Sequence, residues 1–141
     1  MSLWFSDYNL DQINQQNKNT MVEHCGIEIT EMSDETLTGT MPADSRNKQP
    51  FGIVHGGANC VLAETLGRIA ANMTCNPTTH HAVGLSITTN HLRPVRNGVI
   101  IGIATPVKIG KTTQVWDIKT FDEAKRMTSQ TSFTVMIVNR L

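Results

Sequence analysis

The chain has little of several things, and each shortage excludes something. Aromatic residues make up only 5% of its 141 positions and hydrophobic residues 39%. Aromatic side chains each bury a large area, so this supply makes a thin core for a chain standing alone. Burial against further copies would make up the difference, and an oligomer is expected. No sign of charge is in excess: 12 basic residues meet 12 acidic ones, for a formal net charge of zero. A broad basic footprint for nucleic acid is therefore not indicated. Long apolar runs are missing too. The longest, Val99 to Ala104 with Gly102 inside it, is far too short to span a bilayer. The opening residues Met1-Ser2-Leu3-Trp4-Phe5 lack the basic lead and apolar stretch of a signal peptide. No membrane partner and a cytoplasmic location are expected. The cysteines, Cys25, Cys60 and Cys75, are odd in number and have no CxxC spacing. They read as reduced thiols rather than disulfides or metal ligands. Cys60, with no obvious base beside it, reads as a core residue. Repeats, linkers and low-complexity runs are absent, so 1–141 reads as one domain.

What is present concentrates in one stretch, Gln49-Pro50-Phe51-Gly52-Ile53-Val54-His55-Gly56-Gly57, followed at once by an apolar helix carrying a lone acid, Glu64. A Gly-rich turn at a helix start aims backbone N–H groups at whatever lies in front, an arrangement that holds an anion or oxyanion. Gln49 and His55 add two hydrogen-bonding side chains. A carboxylate two turns into a core-facing helix is unfavourable unless it is paired, solvated or used.

Elements can be read around this stretch. Asn9 caps a short helix from Leu10 to Gln16. Thr20, three before Glu23, forms a capping box for a turn or two ending at Gly26. Gly26–Met32 and Thr36–Met41 read as strands with a turn at Ser33-Asp34. The long helix runs from Gly56 to about Met73, with Ala58, Val61, Leu62, Thr65, Leu66, Ile69 and Met73 at helical spacing, and Asn76-Pro77 stops it. His80-His81, with no third ligand at metal spacing, reads as a solvated loop. Ala82–Leu92, Val99–Ile109, Thr113–Phe121 and Met127–Asn139 read as long strands joined by short turns, hence an antiparallel meander. One long helix on one antiparallel sheet is an α+β layout.

These residues resemble a known family, the hotdog-fold acyl-CoA thioesterases of the PaaI-like group. The likeness runs from about Leu10 to Val138. It is densest at Met41-Pro42-Ala43-Asp44-Ser45-Arg46, Gln49 to Gly57, Leu62-Ala63-Glu64-Thr65-Leu66-Gly67 and Asn90-His91-Leu92-Arg93-Pro94-Val95. The resemblance implies a hydrolase that releases free acid and CoA, with an aromatic or hydroxyaryl acyl group. It implies Glu64 as general base or nucleophile and the Gly56 N–H as the donor that polarises the thioester carbonyl. It implies that Gln49 and His55 position the carbonyl and the thioester sulfur. Gly84, His91, Leu92, Arg93 and Pro94, and the run Lys108, Ile109, Gly110, Lys111, Thr112 and Thr113, would hold the CoA part, Arg96 being a further cation near it. No metal or redox cofactor is implied, since CoA enters with the substrate.

Geometry adds a condition. Gly56 and Glu64 lie roughly 12 Å apart along a helix, too far to reach one thioester carbon from the same chain. Active sites shared between two protomers are expected, in a dimer or a tetramer built from dimers. One position departs from the family pattern. Arg68, one turn after Glu64, stands where a small hydroxyl is common, and an i,i+4 ion pair with Glu64 would stabilise the carboxylate while competing for it. Two other classes stay open: a hotdog hydratase or dehydratase acting on an enoyl or 3-hydroxyacyl chain, and a non-catalytic acyl-CoA-binding protein.

Overall fold

A computed structural model describes all 141 residues. Asn9 accepts from the N–H groups of Asp11 and Gln12 and so starts α1, Leu10–Gln16. Thr20 Oγ1 accepts from the Val22 N–H at the head of α2, Met21–His24, while Glu23 reaches back to the Asn19 N–H. That loosened capping box ends at Gly26, whose φ of +73° closes the turn. Because Gly26 is spent on this turn, β1 begins later than expected, at Glu28–Met32, and pairs with β2, Leu37–Pro42.

The long helix α3 covers Gly56–Met73, the range its pattern predicts. Leu62, Ala63, Leu66, Ala70, Ala71 and Met73 lie buried along it. It packs closely because glycines face it. A Cβ on Gly39 or Gly102 would lie 2.8 Å from a Leu66 methyl, and one on Gly67 would lie 2.5 Å from the Phe133 ring. Trp116 fills the centre of the sheet and stacks on Trp4 with centroids 6.4 Å apart.

The remaining strands are β3 (His80–His91), β4 (Val99–Ile109), β5 (Thr113–Phe121) and β6 (Met127–Asn139). His80 and His81, expected in a loop, are instead the first residues of β3, paired with Asn139 and Val138. All six strands form one sheet in the order β1-β2-β4-β5-β6-β3. Only β4-β5-β6 is a meander, so the expectation of one running through all four long strands is corrected. β2 occupies the free side of β4 over Leu37–Pro42, which leaves β3 the outer side of β6. β3 is therefore a sheet edge. No helix is long and apolar enough to cross a membrane.

Candidate active site

The loop before α3 is pinned on both sides. The His55 N–H donates to the Asn47 carbonyl at 2.7 Å, the Val54 N–H to Val95 at 2.8 Å and the Gln49 N–H to Ile53 at 2.9 Å. Upstream, the Arg46 guanidinium bonds Asp44 at 2.7 Å, which holds the Asp44 carboxyl below its usual range and raises Arg46. His55 is the N-cap: its extended backbone (φ −62°, ψ 134°) ends the loop, and its Nδ1 accepts from the Gly57 N–H at 2.8 Å. The Gly56 N–H has no partner in the chain. The helix thus starts with one satisfied donor and one free one, at the positive end of its dipole. The Gln49 side-chain oxygen accepts from the Phe51 N–H, leaving its amide N–H₂ as a donor.

A cavity of about 430 Å³ opens here, lined by Gln49, Gly56, His91, Leu92, Arg93 and Pro94 together with Ile53, Val54, Asn59 and Val95. Six residues expected at the site therefore meet. His91, from the far end of β3, lies against the helix start: a Cβ on Gly56 would come within 2.9 Å of its Nε2. Its Nδ1 faces the amide nitrogen of Asn59 at 3.3 Å. Asn59 is 6% exposed, and its side-chain oxygen has no partner. Sequence reasoning missed Asn59. The available signal was an amide on the apolar stripe of a helix, one turn before Leu62 and Ala63. His55 does not line the cavity; it is exposed and holds the cap.

Glu64 lies elsewhere. It is exposed and lines a second cleft of about 270 Å³ with Met21, Val22, Cys60, Val61, Thr65 and Arg68. Gly84, expected among CoA contacts, sits beside it: a Cβ there would lie 3.4 Å from Glu64 Oε2. The ion pair expected between Glu64 and Arg68 does not form, since the three ion pairs of the chain are Arg46–Asp44, Lys119–Asp117 and Arg126–Asp122. Cys60 is half-buried rather than in the core; its thiol faces Thr89 Oγ1 at 3.5 Å and lines the Glu64 cleft. Met21 and Val22 come from α2, too far along the sequence for any spacing argument.

The third expected group, Lys108 to Thr113, forms the β4–β5 turn. Lys108, Ile109, Lys111, Thr112 and Thr113 are exposed, and a Cβ on Gly110 would strike the Thr113 carbonyl at 2.7 Å. The hairpin lines neither cavity. Gln114 pairs with Val135 and Val135 with Gly84, so the hairpin stands two strands, roughly 10 Å, from Gly84. Within one chain the expected residues thus form three separate groups.

The chain has clear relatives among known proteins. The family described as the thioesterase superfamily matches residues 51–128. The chain is 39% identical over 136 residues to 1,4-dihydroxy-2-naphthoyl-CoA hydrolase of Escherichia coli, covering 96% of this chain and 99% of that one. It is 40% identical to the proofreading thioesterase EntH of Cronobacter turicensis, covering 95% and 98%. A crystal structure of a Haemophilus influenzae thioesterase superposes with a TM-score of 0.95 at 39% identity, covering 97% and 95% of the two chains. Fold, helix-start geometry and sequence all lead to one place: the chain belongs to the thioesterase superfamily, as a thioester hydrolase of the hotdog fold.

Proposed function

We propose that the protein hydrolyses an acyl-CoA, with an aromatic or hydroxyaryl acyl group, to free acid and CoA. The observation that carries this reading is the free N–H of Gly56 at the helix start, next to Gln49 in an open cavity. A donor there meets the charge that develops on a thioester oxygen as it becomes tetrahedral. The Gln49 amide N–H₂ is the second donor to the same oxygen. Glu64, free of partners, takes a proton from water as the water oxygen bonds to the carbonyl carbon; the C–S bond then breaks and the thiolate of CoA takes up a proton. Direct attack by the Glu64 carboxylate, through an anhydride that water opens, uses the same geometry. The reaction needs no metal or redox cofactor, and a cytoplasmic protein meets its substrate there.

Sites shared between two copies follow from the separation of the groups. β3 is a twelve-residue sheet edge, and a long unpaired edge is a template for a second strand. Its exposed Val83 and Leu85 add apolar surface. His91 marks the end of β3 beside Gly56, and Gly84 the part beside Glu64. Antiparallel pairing of two β3 strands about a dyad near Ile87 and Thr88 sets Gly84 of one copy opposite His91 of the other. Glu64 of one copy then approaches Gly56 of the second, and Leu92, Arg93, Pro94 and the Lys108–Thr113 hairpin are left to hold CoA. A second contact between two such dimers, through a different surface, would make a tetramer.

The test is release of free thiol from aromatic, short-chain and long-chain acyl-CoA substrates. Hydrolysis with aryl substrates fastest is expected. Absence of thiol release from every substrate, or change of an enoyl chromophore without it, would overturn the reading.

A further inference from the structure

Beyond the Glu64 cleft lies a larger cavity of about 660 Å³, between α1, the second half of α3 and the C-terminal segment. Its walls are polar, with Tyr8, Gln12, Asn17 and Asn72 among them, and they carry two cations, Arg68 and Arg140, against one acid, Asp7. Val22 and Arg68 also line the Glu64 cleft, so the two spaces share a wall. Arg68 is half-buried, and its guanidinium makes no hydrogen bond or ion pair, while its backbone carbonyl accepts from the Asn72 side-chain amide at 2.9 Å. Arg140 is unpaired too, and the side-chain nitrogen of Asn17 is buried without an acceptor. Two cations therefore face a polar space whose one acid, Asp7, pairs with neither.

A half-buried guanidinium is unfavourable without a counter-charge. Its planar fork suits a carboxylate, which it grips with two parallel hydrogen bonds. Arg68 lies one helical turn, about 6 Å, beyond Glu64. That is close to the span from a thioester carbon across one aromatic ring to a group on its far side. Two cations against Asp7 leave one positive charge, enough for one monoanion.

We propose that the acyl group of the substrate carries a second acid, a carboxylate on the end away from the thioester, received by Arg68 with Arg140 in the same cavity. The inference rests on the acyl-CoA hydrolase reading and names its substrate class. Arg68 would select among acyl groups, and Glu64 would act on all of them.

The experiment measures kcat/KM for benzoyl-CoA and 4-carboxybenzoyl-CoA with the wild-type protein, Arg68→Ser and Arg68→Lys. Wild type should favour the carboxylated substrate by about tenfold or more, the usual value of a hydrogen bond to a charged group. Arg68→Ser should bring the ratio close to one, and Arg68→Lys, which keeps charge but loses the fork, should fall between. A wild-type ratio of one or less, or a ratio that survives Arg68→Ser, overturns the proposal. Hydrolysis of benzoyl-CoA alone reports on the thioesterase reading, so the two can fail separately. Calorimetric titration with terephthalate and benzoate serves if neither ester is cleaved. Tighter terephthalate binding that Arg68→Ser weakens about tenfold supports the site. Equal binding of the two acids, or none, removes it.

Discussion

The two halves of α3 are built differently. The start is held rigidly: its loop is bonded to Asn47 and Val95, His55 caps it, and His91 and Asn59 close around Gly56. The middle of the same helix has Glu64 and Arg68 on an open cleft, with neither side chain bonded to anything. Donors that stabilise developing charge work best when fixed in advance. An acid that must exchange protons with water works when solvent reaches it. In the proposed reaction one helix serves both needs, because Gly56 and Glu64 are eight residues apart and meet different surroundings.

The largest expected effect tests the open half. Glu64→Gln keeps the size of the side chain and removes its base, so kcat should fall about a hundredfold or more. Thermal unfolding should barely move, because the side chain is exposed and unpaired. A folded Glu64→Gln protein with near wild-type turnover would show that the cleft is not catalytic.

Mixing variants tests whether the halves act across chains. Glu64→Gln and Gln49→Ala, each of low activity, should regain about a quarter of wild-type activity on equal mixing and reassembly, since half of randomly formed symmetric dimers carry one intact site. No recovery in verified mixed dimers would place each site within one chain.

The seat of the helix is the next target. In Gly67→Ala the new methyl group would sit 2.5 Å from Phe133 Cδ2, in the tightest contact of any glycine in the chain. Overpacking of this kind costs about 1–3 kcal/mol, to be read from denaturant midpoints. Activity per folded molecule should change less than stability, which separates a packing role from a chemical one.

Asn59→Leu should act in the opposite sense. It removes the amide that faces His91 and the unpartnered buried oxygen, so the fold should be little affected. Activity should fall several-fold, on the scale of one lost hydrogen bond of about 1 kcal/mol, with the rise in KM exceeding the loss in kcat if His91 serves substrate binding. A Gly56→Ala variant should resemble it, because the added methyl displaces the same ring.

The smallest effect lies outside the helix. The Asp122 carboxylate accepts from the Arg126 N–H and guanidinium and from the Ala124 N–H in the β5–β6 turn, and these bonds hold its pKa below the usual value. Its folded value is the lower one, so its stabilisation is present above the unfolded carboxylate range and is lost as pH falls through the folded value. Asp122→Asn should therefore lower thermal stability at neutral pH, and the difference from wild type should shrink in acid, with the activity profile unmoved.

Much of this was legible in the sequence because it is local. The extent of α3 follows from a glycine-led start, an apolar period and a stop at Asn76-Pro77; the β4–β6 hairpins follow from short turns between long strands. The glycine-led helix start and the lone acid two turns later could be singled out because they conflict with a plain core helix. Their distance, a consequence of helical rise alone, already led to the expectation of a second chain. What tertiary structure decided is what depends on residues far apart. β3 joined the outer side of β6 because β2 had taken the free side of β4, and no local signal ranks those pairings. That placement alone sets His91 against Gly56 and Gly84 against Glu64. Asn59 became a partner of His91 only once β3 lay beside the helix. The i,i+4 rule suggested a bond between Arg68 and Glu64, but rotamers answer to the whole surroundings, and here the surroundings open Arg68 to a polar cavity built from the N-terminal helix and the last residues of the chain.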